Sequence, residues 1–346
     1  MSILALERSP LVSDYPHIGS DVVFARKARR NLDWALSSGL DEFKSTAVRA
    51  RFEPNTEEWL VHPRVNVYVD CTTSCEYDCG FCIAKTTDGR CNSLYLDPDD
   101  LVRNLKVLDS AGIDYSLQLT GGEPLRHPMV DTLLEILSSQ GRKLVVNTNL
   151  GEFTGALLLA DHVNISCHHY NEQLDEKVFN GKRDHKQLRA SIQNGLADKV
   201  RLNCNLIGGY IDTYGEIMQY VAFAYWYMGA RNISFSWLSA LPADTMYDQS
   251  IIDFVVDRPV PPMGDLLKKL DETTHWRFLK YRGGVACYYE IWEYTAYVEP
   301  VTVQFKYSDN KYLDMIDKAP RLIPDIVMHP DGSMTGSWDT RRKKLA

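Results

Sequence analysis

The chain has 346 residues, 45% hydrophobic and 24% charged, with a formal net charge of -8; this is the make-up of a globular protein with a substantial core. An acidic surface repels phosphate backbones, so no nucleic-acid partner is expected, and no run reaches the ~18 apolar residues of a membrane span. The opening MSILALERSPLV is broken by Glu7 and Arg8 and does not read as a secretory leader, which points to a cytoplasmic protein whose eight cysteines stay reduced.

In chain order, residues 1–62 read as an N-terminal extension with a helix expected over 21–36. From 63 to 240, β-rich runs at 65–70, 115–120, 144–148, 162–167, 200–206 and 233–238 alternate with helical stretches at 99–111, 127–139, 173–179, 186–197 and 213–228. Asp97-Pro98 supplies a capping side chain before a proline in the first turn, and Gly112 stops that helix. Strand–helix alternation implies parallel strands with right-handed crossovers, so the fold class expected is α/β, a partial (β/α)6 barrel. Residues 241–346 read as a small α+β extension covering the barrel mouth. Its aromatic stretch over 287–297 is either a cover over a substrate or C-terminal core.

Alternate strand residues fall on two faces. One face reads Asn66, Tyr68, Asp70; Ser116, Gln118, Thr120; Asn164, Ser166, His168; Arg201, Asn203, Asn205; Ser234, Ser236. The other is built of Val, Leu, Ile and Phe and must pack on the helices. The polar face then lines the lumen, where unpaired groups cost about 1–3 kcal/mol each, so a polar ligand or water is expected there. His168, at a strand end on this face, is a candidate for substrate contact or acid–base work. Cys167 and Cys204 fall on the apolar face, which favours buried thiols over hydrogen-atom donors.

Cys75-Glu-Tyr-Asp-Cys79-Gly-Phe-Cys82 is a C-x3-C-x2-C array in the loop after the first barrel strand. Three thiolates from one loop can ligate three irons of a cubane and leave the fourth open to a chelating amino-carboxylate. Zinc is the alternative, drawing on Cys71 or Cys91 as well, but zinc sites prefer two separated pairs and no second pair follows.

With Gly121-Gly122-Glu123-Pro124 after the next strand, this array resembles the radical S-adenosylmethionine (SAM) superfamily over roughly residues 63–240. The resemblance implies one 4Fe-4S cluster on Cys75, Cys79 and Cys82, with SAM cleaved reductively to a 5′-deoxyadenosyl radical. By the same resemblance Gly121, Gly122, Glu123 and Pro124 hold the SAM amino group, Phe81 contacts adenine, and Thr148 or Asn149 with Ser166 hold its carboxylate and ribose. It also implies a flavodoxin- or ferredoxin-type electron donor. The spacing is most similar to the GTP cyclase branch of molybdenum-cofactor biosynthesis, which would turn Arg201 and Asn203 toward substrate. The chain departs from that branch in lacking C-terminal cysteines for a second cluster, only Cys287 lying beyond Cys204; one cluster is expected, and GTP cyclisation is not. The expected function is hydrogen abstraction from a polar small molecule, sugar- or nucleoside-like. The alternatives are a peptide-modifying maturase and a non-catalytic, metal-stabilised binding module.

Overall fold

The computed structural model describes residues 50–53, 58–61, 65–83, 93–238, 249–261, 263–283, 287–308, 325–338 and 345. The helix expected over 21–36 and Cys91 lie outside them. Of the N-terminal extension, β1 (Ala50–Glu53) and β2 (Glu58–Val61) form an antiparallel ladder.

Six strands, β3 (Val65–Asp70), β4 (Tyr115–Thr120), β5 (Leu144–Thr148), β6 (His162–Ser166), β7 (Val200–Leu206) and β8 (Asn232–Trp237), lie side by side in chain order, all parallel. The crossovers carry α1 (Pro98–Ser110), α2 (Val130–Ser139), the 3-10 segment Gly155–Leu159, α3 (Glu172–Phe179), α4 (His185–Gln193) and α5 (Tyr214–Ala222). Parallel neighbours in sequential order are the signature of a (β/α) barrel wall. The wall is partial: its two edges are not paired to each other among the described residues.

The C-terminal third builds onto both edges. After α6 (Gln249–Asp257) and α7 (Met263–Asp271) come β9 (Trp276–Gly283), β10 (Cys287–Tyr294) and β11 (Val301–Ser308), then β12 (Asp325–Met328) and β13 (Met334–Thr335). β11 adds parallel to β8, and β12 adds parallel to β3. The aromatic stretch over 287–297 is largely β10, with Trp292 and Tyr294 buried: it is core of this sheet.

Side-chain alternation divides the sheet as expected. Val65, Val67, Val69, Leu117, Leu119, Val163, Ile165 and Leu202 are fully buried against the helices; each such side chain contributes about 1.5–3 kcal/mol. Cys167 and Cys204 are buried with them. On the polar face the groups satisfy one another. Ser116 donates to Asn66 (3.0 Å), Asn164 to Asn147 (2.8 Å), Arg201 Nε to Asn164 (3.0 Å) and Nη1 to Gln304 of β11 (3.3 Å), and Gln304 to Ser234 (3.0 Å).

Helix ends depart from expectation where local chemistry overrides periodicity. The stretch over 127–139 starts as α-helix only at Val130, because His127 precedes Pro128 and stays extended. The stretch over 186–197 ends at Gln193, ahead of Gly195 at φ +97°. The stretch over 213–228 is α-helical to Ala222 and continues as a π-helical turn, Phe223–Met228, closed by Gly229 at φ +74°.

Candidate active site

β3 runs into the cysteine loop at the carboxyl edge of the sheet, where (β/α) folds place their sites. Cys71, the first residue past the strand, is wholly buried, and burial pushes its thiol well up, so it stays protonated. Cys75, Cys79 and Cys82 form no disulfide and are half-buried. The loop is shaped by Ser74 N–H donating to Thr72 Oγ1 (3.0 Å), Cys82 N–H to Cys79 O (3.1 Å) and Asp78 N–H to Phe179 O (3.2 Å).

The Gly121-Gly122 turn after β4 tucks directly beneath this loop. Gly122 N–H donates to Thr72 O (2.6 Å) and Glu123 N–H to Ser74 O (2.7 Å). Gly121 sits at φ +151°, and a Cβ there would lie 2.7 Å from Thr72 O, while one at Gly122 would collide with the Ser74 carbonyl. Glycine is therefore demanded here by contact with the cysteine loop's own backbone.

Glu123 is buried, and its carboxylate ties β4 to the end of β5. It accepts from Thr148 Oγ1 (2.5 Å), Asn149 N–H (2.7 Å) and Leu125 N–H (3.0 Å). Burial pushes its pKa up to about 7 against the pull of these three donors. Pro124 is buried at the start of the short 3-10 turn that follows. Thr148 is committed inside the protein, since its hydroxyl also accepts from Leu150 N–H (2.8 Å). Asn149 turns its Oδ1 to Gly151 N–H (2.7 Å). Ser166 keeps a half-buried side chain, in one register row with Asn203 and, through it, Ser234.

His168 lies against the cysteine loop: Phe81 meets its ring edge-on at 5.0 Å, and Phe179 stacks on it at 4.8 Å. Its Nδ1 accepts from Asn205 N–H (3.1 Å), which leaves the proton on Nε2, and burial lowers its pKa to about 4. It is a neutral imidazole. Arg201 and Asn203 stand in adjacent rows of β7 on the polar face, Arg201 spending its guanidinium on Asn164 and Gln304. The structure thus brings Phe81, Gly121, Gly122, Glu123, Thr148, Asn149, Ser166 and His168 to the edge that carries the cysteine loop, with Asn203 level with Ser166 and Arg201 further back along β7.

Sequence reasoning missed a buried group beside them. Arg183, between α3 and α4, pairs through Nε with Asp175 Oδ2 (3.2 Å), their side chains only 4% and 0% exposed. The signal was present: Asp175, Val178 and Phe179 share one stripe of α3, and a charge on a buried stripe needs a partner. Cys167, Asp175 and His185 also converge within 4.8 Å. Asp175 Oδ2 there already accepts from both Arg183 and His185 (3.0 Å), so the cluster is a satisfied ion pair rather than a cation site.

The donor set fits an iron–sulfur cluster. Three half-buried thiols, none in a disulfide, come from one short loop, the neighbouring Cys71 is a protonated core thiol, and no second cysteine pair stands beside them among the described residues. No described helix is long and apolar enough to cross a membrane.

Residues 69–224 match the model of the family described as the Radical SAM superfamily. Among curated proteins the chain is similar to an S-adenosylmethionine-dependent nucleotide dehydratase of Thermoplasmatales archaeon (strain ISO4-H5), 23% identical over 153 residues, 41% of this chain and 51% of that protein. It is also similar to a GTP 3′,8-cyclase of Vibrio vulnificus (strain YJ016), 25% identical over 178 residues, 46% of this chain and 50% of that protein. The chain therefore spans about half the length of these relatives. Among solved structures, Streptococcus suis SuiB bound to S-adenosylmethionine shares the fold at a TM-score of 0.50 and 13% identity, over 93% of this chain and 67% of that one.

Proposed function

We propose, on the premise that residues 69–224 make this chain a member of the radical SAM superfamily, that it is an enzyme holding a 4Fe-4S cluster on Cys75, Cys79 and Cys82 and abstracting hydrogen from a polar, sugar- or nucleoside-like small molecule. Cys75, Cys79 and Cys82 would hold such a cluster, and it would supply the one-electron reduction of SAM from which a 5′-deoxyadenosyl radical, and so hydrogen abstraction, would follow.

The observation that carries the reading is the seating of the three-cysteine loop, through Thr72 and Ser74, on the Gly121-Gly122 turn at the carboxyl edge of a parallel wall whose inner face is polar. Family membership brings SAM and an iron–sulfur cluster with it; the cluster type and the substrate are the proposal. The chain's own residues supply geometry. Glu123 fixes the turn to the end of β5, so the backbone carbonyls of the turn and the Ser166 hydroxyl stand ready for the amino-carboxylate and ribose of SAM. Phe81, held edge-on against His168, offers a ring for adenine. Below them the Asn147–Asn164–Arg201–Gln304–Ser234 chain of hydrogen bonds pre-orders amides and a guanidinium for a substrate rich in hydroxyls or ring nitrogens. The names of both curated relatives specify nucleotide substrates, which favours the nucleoside-like end of this class. A flavodoxin- or ferredoxin-type donor would deliver the electron beside Ile83, Leu94 and Tyr95, which are exposed next to the cysteine loop.

Anaerobic reconstitution with iron, sulfide, dithionite and SAM tests the reading. Release of 5′-deoxyadenosine is expected, stimulated by pools of nucleosides, nucleotides or sugars and not by peptides. Stimulation by peptides alone would move the substrate to the maturase class. A protein that binds one zinc and releases no 5′-deoxyadenosine would be a binding module.

A further inference from the structure

We propose that Arg183 is a positioning residue that locks the cysteine loop to the two strand ends which, in the function proposed above, receive SAM; this inference rests on that reading. The guanidinium spends its planar fork on four partners at once. Nη1 donates to Asn149 O at the end of β5 (2.9 Å) and to the Tyr77 hydroxyl in the cysteine loop (3.4 Å), Nη2 donates to Ser166 O at the end of β6 (3.0 Å), and Nε donates to Asp175 (3.2 Å). Its flat face lies 4.3 Å from the Phe179 ring centre. β5 and β6 are already paired in the sheet, and the cation ties the cysteine loop to both of their ends.

Tyr77 is the handle on the loop side. It stands between Cys75 and Cys79, and its hydroxyl also donates to Lys182 O (3.0 Å). Its ring packs on Phe179 at 4.9 Å, and a side chain on Gly181 would come within 2.7 Å of it. The strap over 179–183 thus lies on the cysteine loop, with Asp78 N–H and Cys79 Sγ both directed at Phe179 O. Asp175 is the counter-charge, and its second oxygen accepts from the backbone N–H of His168 (2.7 Å) and His169 (3.0 Å). One ion pair therefore sets the cysteine loop, the ends of β5 and β6, and the imidazole facing Phe81. Lysine keeps the charge but lacks the fork, so it cannot hold all four partners.

The test compares Tyr77→Phe and Arg183→Lys with wild type in the full chain, reading four signals. These are melting temperature, hydrogen exchange of the peptide covering 73–83, the EPR spectrum of the reduced protein with and without SAM, and the Kd for SAM by titration. Tyr77→Phe removes one half-buried hydroxyl and leaves the ion pair, so its melting temperature should stay within a few degrees of wild type. Exchange of 73–83 should rise several-fold, the SAM-induced EPR shift should become heterogeneous, and the Kd for SAM should rise about tenfold, the equivalent of one lost hydrogen bond of about 1.4 kcal/mol. Arg183→Lys should show the same signature more strongly and not rescue it. Wild-type exchange and wild-type SAM-bound spectra in both variants would overturn the positioning role. If wild type shows no SAM-responsive iron signal, the proposed function falls instead. Loop exchange then decides the positioning claim by itself: a rise in both variants upholds the lock, and no change overturns it.

Discussion

His168 and Glu123 sit a few residues from the same site with opposite proton preferences. Burial holds His168 neutral down to about 4, whereas an unfolded histidine titrates near 6.5. A folded pKa below the unfolded one means its contribution to stability is intact above pH 6.5 and is lost as pH falls toward 4. His168→Asn keeps an acceptor for Asn205 N–H without the titration, so thermal melts should show a smaller stability loss between pH 6.5 and 4.5 than wild type. An unchanged slope would contradict this assignment. Glu123 lies the other way, its pKa raised to about 7 and three donors aimed at it. Glu123→Gln replaces an acceptor with an amide group and strands a buried donor, a cost of about 1–3 kcal/mol readable by urea denaturation. At this scale the sequence was legible wherever chemistry is local. The three cysteines and the Gly121–Glu123 turn declare themselves by spacing, while Arg183 sits in a polar connection resembling a solvated link, its partner Tyr77 106 positions away.

Elements were legible to the degree that their ends are written locally. α1 begins where Asp97 accepts from Asp99 N–H (2.8 Å) and ends ahead of Gly112 at φ +67°, both visible in the sequence. Asp97→Ala should cost about 1 kcal/mol in chemical denaturation, with no effect on iron content. The two glycines separate backbone strain from contact. Gly112→Ala meets open space and suffers only its positive φ, so a loss of about 1 kcal/mol and an unaltered site are expected. Gly122→Ala drives a methyl group into the Ser74 carbonyl, so the cysteine loop must shift: SAM affinity should collapse while far-UV circular dichroism stays that of wild type. Equal behaviour of the two variants in SAM titrations would refute that distinction. What was not legible is partnership. The run VTVQFKYS alternates cleanly as β11, yet nothing local says that it lies parallel to β8 rather than only antiparallel to β10.

For the molecule as a whole, this partnership changes what the C-terminal third does. β12 covers the β3 edge and β11 the β8 edge, and Gln304 of β11 completes the polar row that begins at Asn147. A chain ending at residue 296 would leave two hydrophobic parallel strands with open edges and Arg201 short of a partner. Such a truncation should be recovered aggregated, or lacking the cooperative thermal transition of the full chain. The six-strand wall was readable because apolar residues recur at period two in every run except β5, whose Leu144-Val145-Val146 is continuously apolar, and glycines or capping residues punctuate the crossovers. Its completion from both sides was not, because pairings between distant segments are fixed by the assembled core.

Mössbauer spectroscopy of anaerobically prepared, 57Fe-labelled protein, recorded before and after addition of SAM, bears most directly on the central claim. Three thiolates and an open corner predict a four-iron centre in which SAM makes one iron distinct from the other three, and a Cys79→Ala variant without that centre. A protein whose iron shows no cubane signature, or whose four irons do not respond to SAM, would contradict the account.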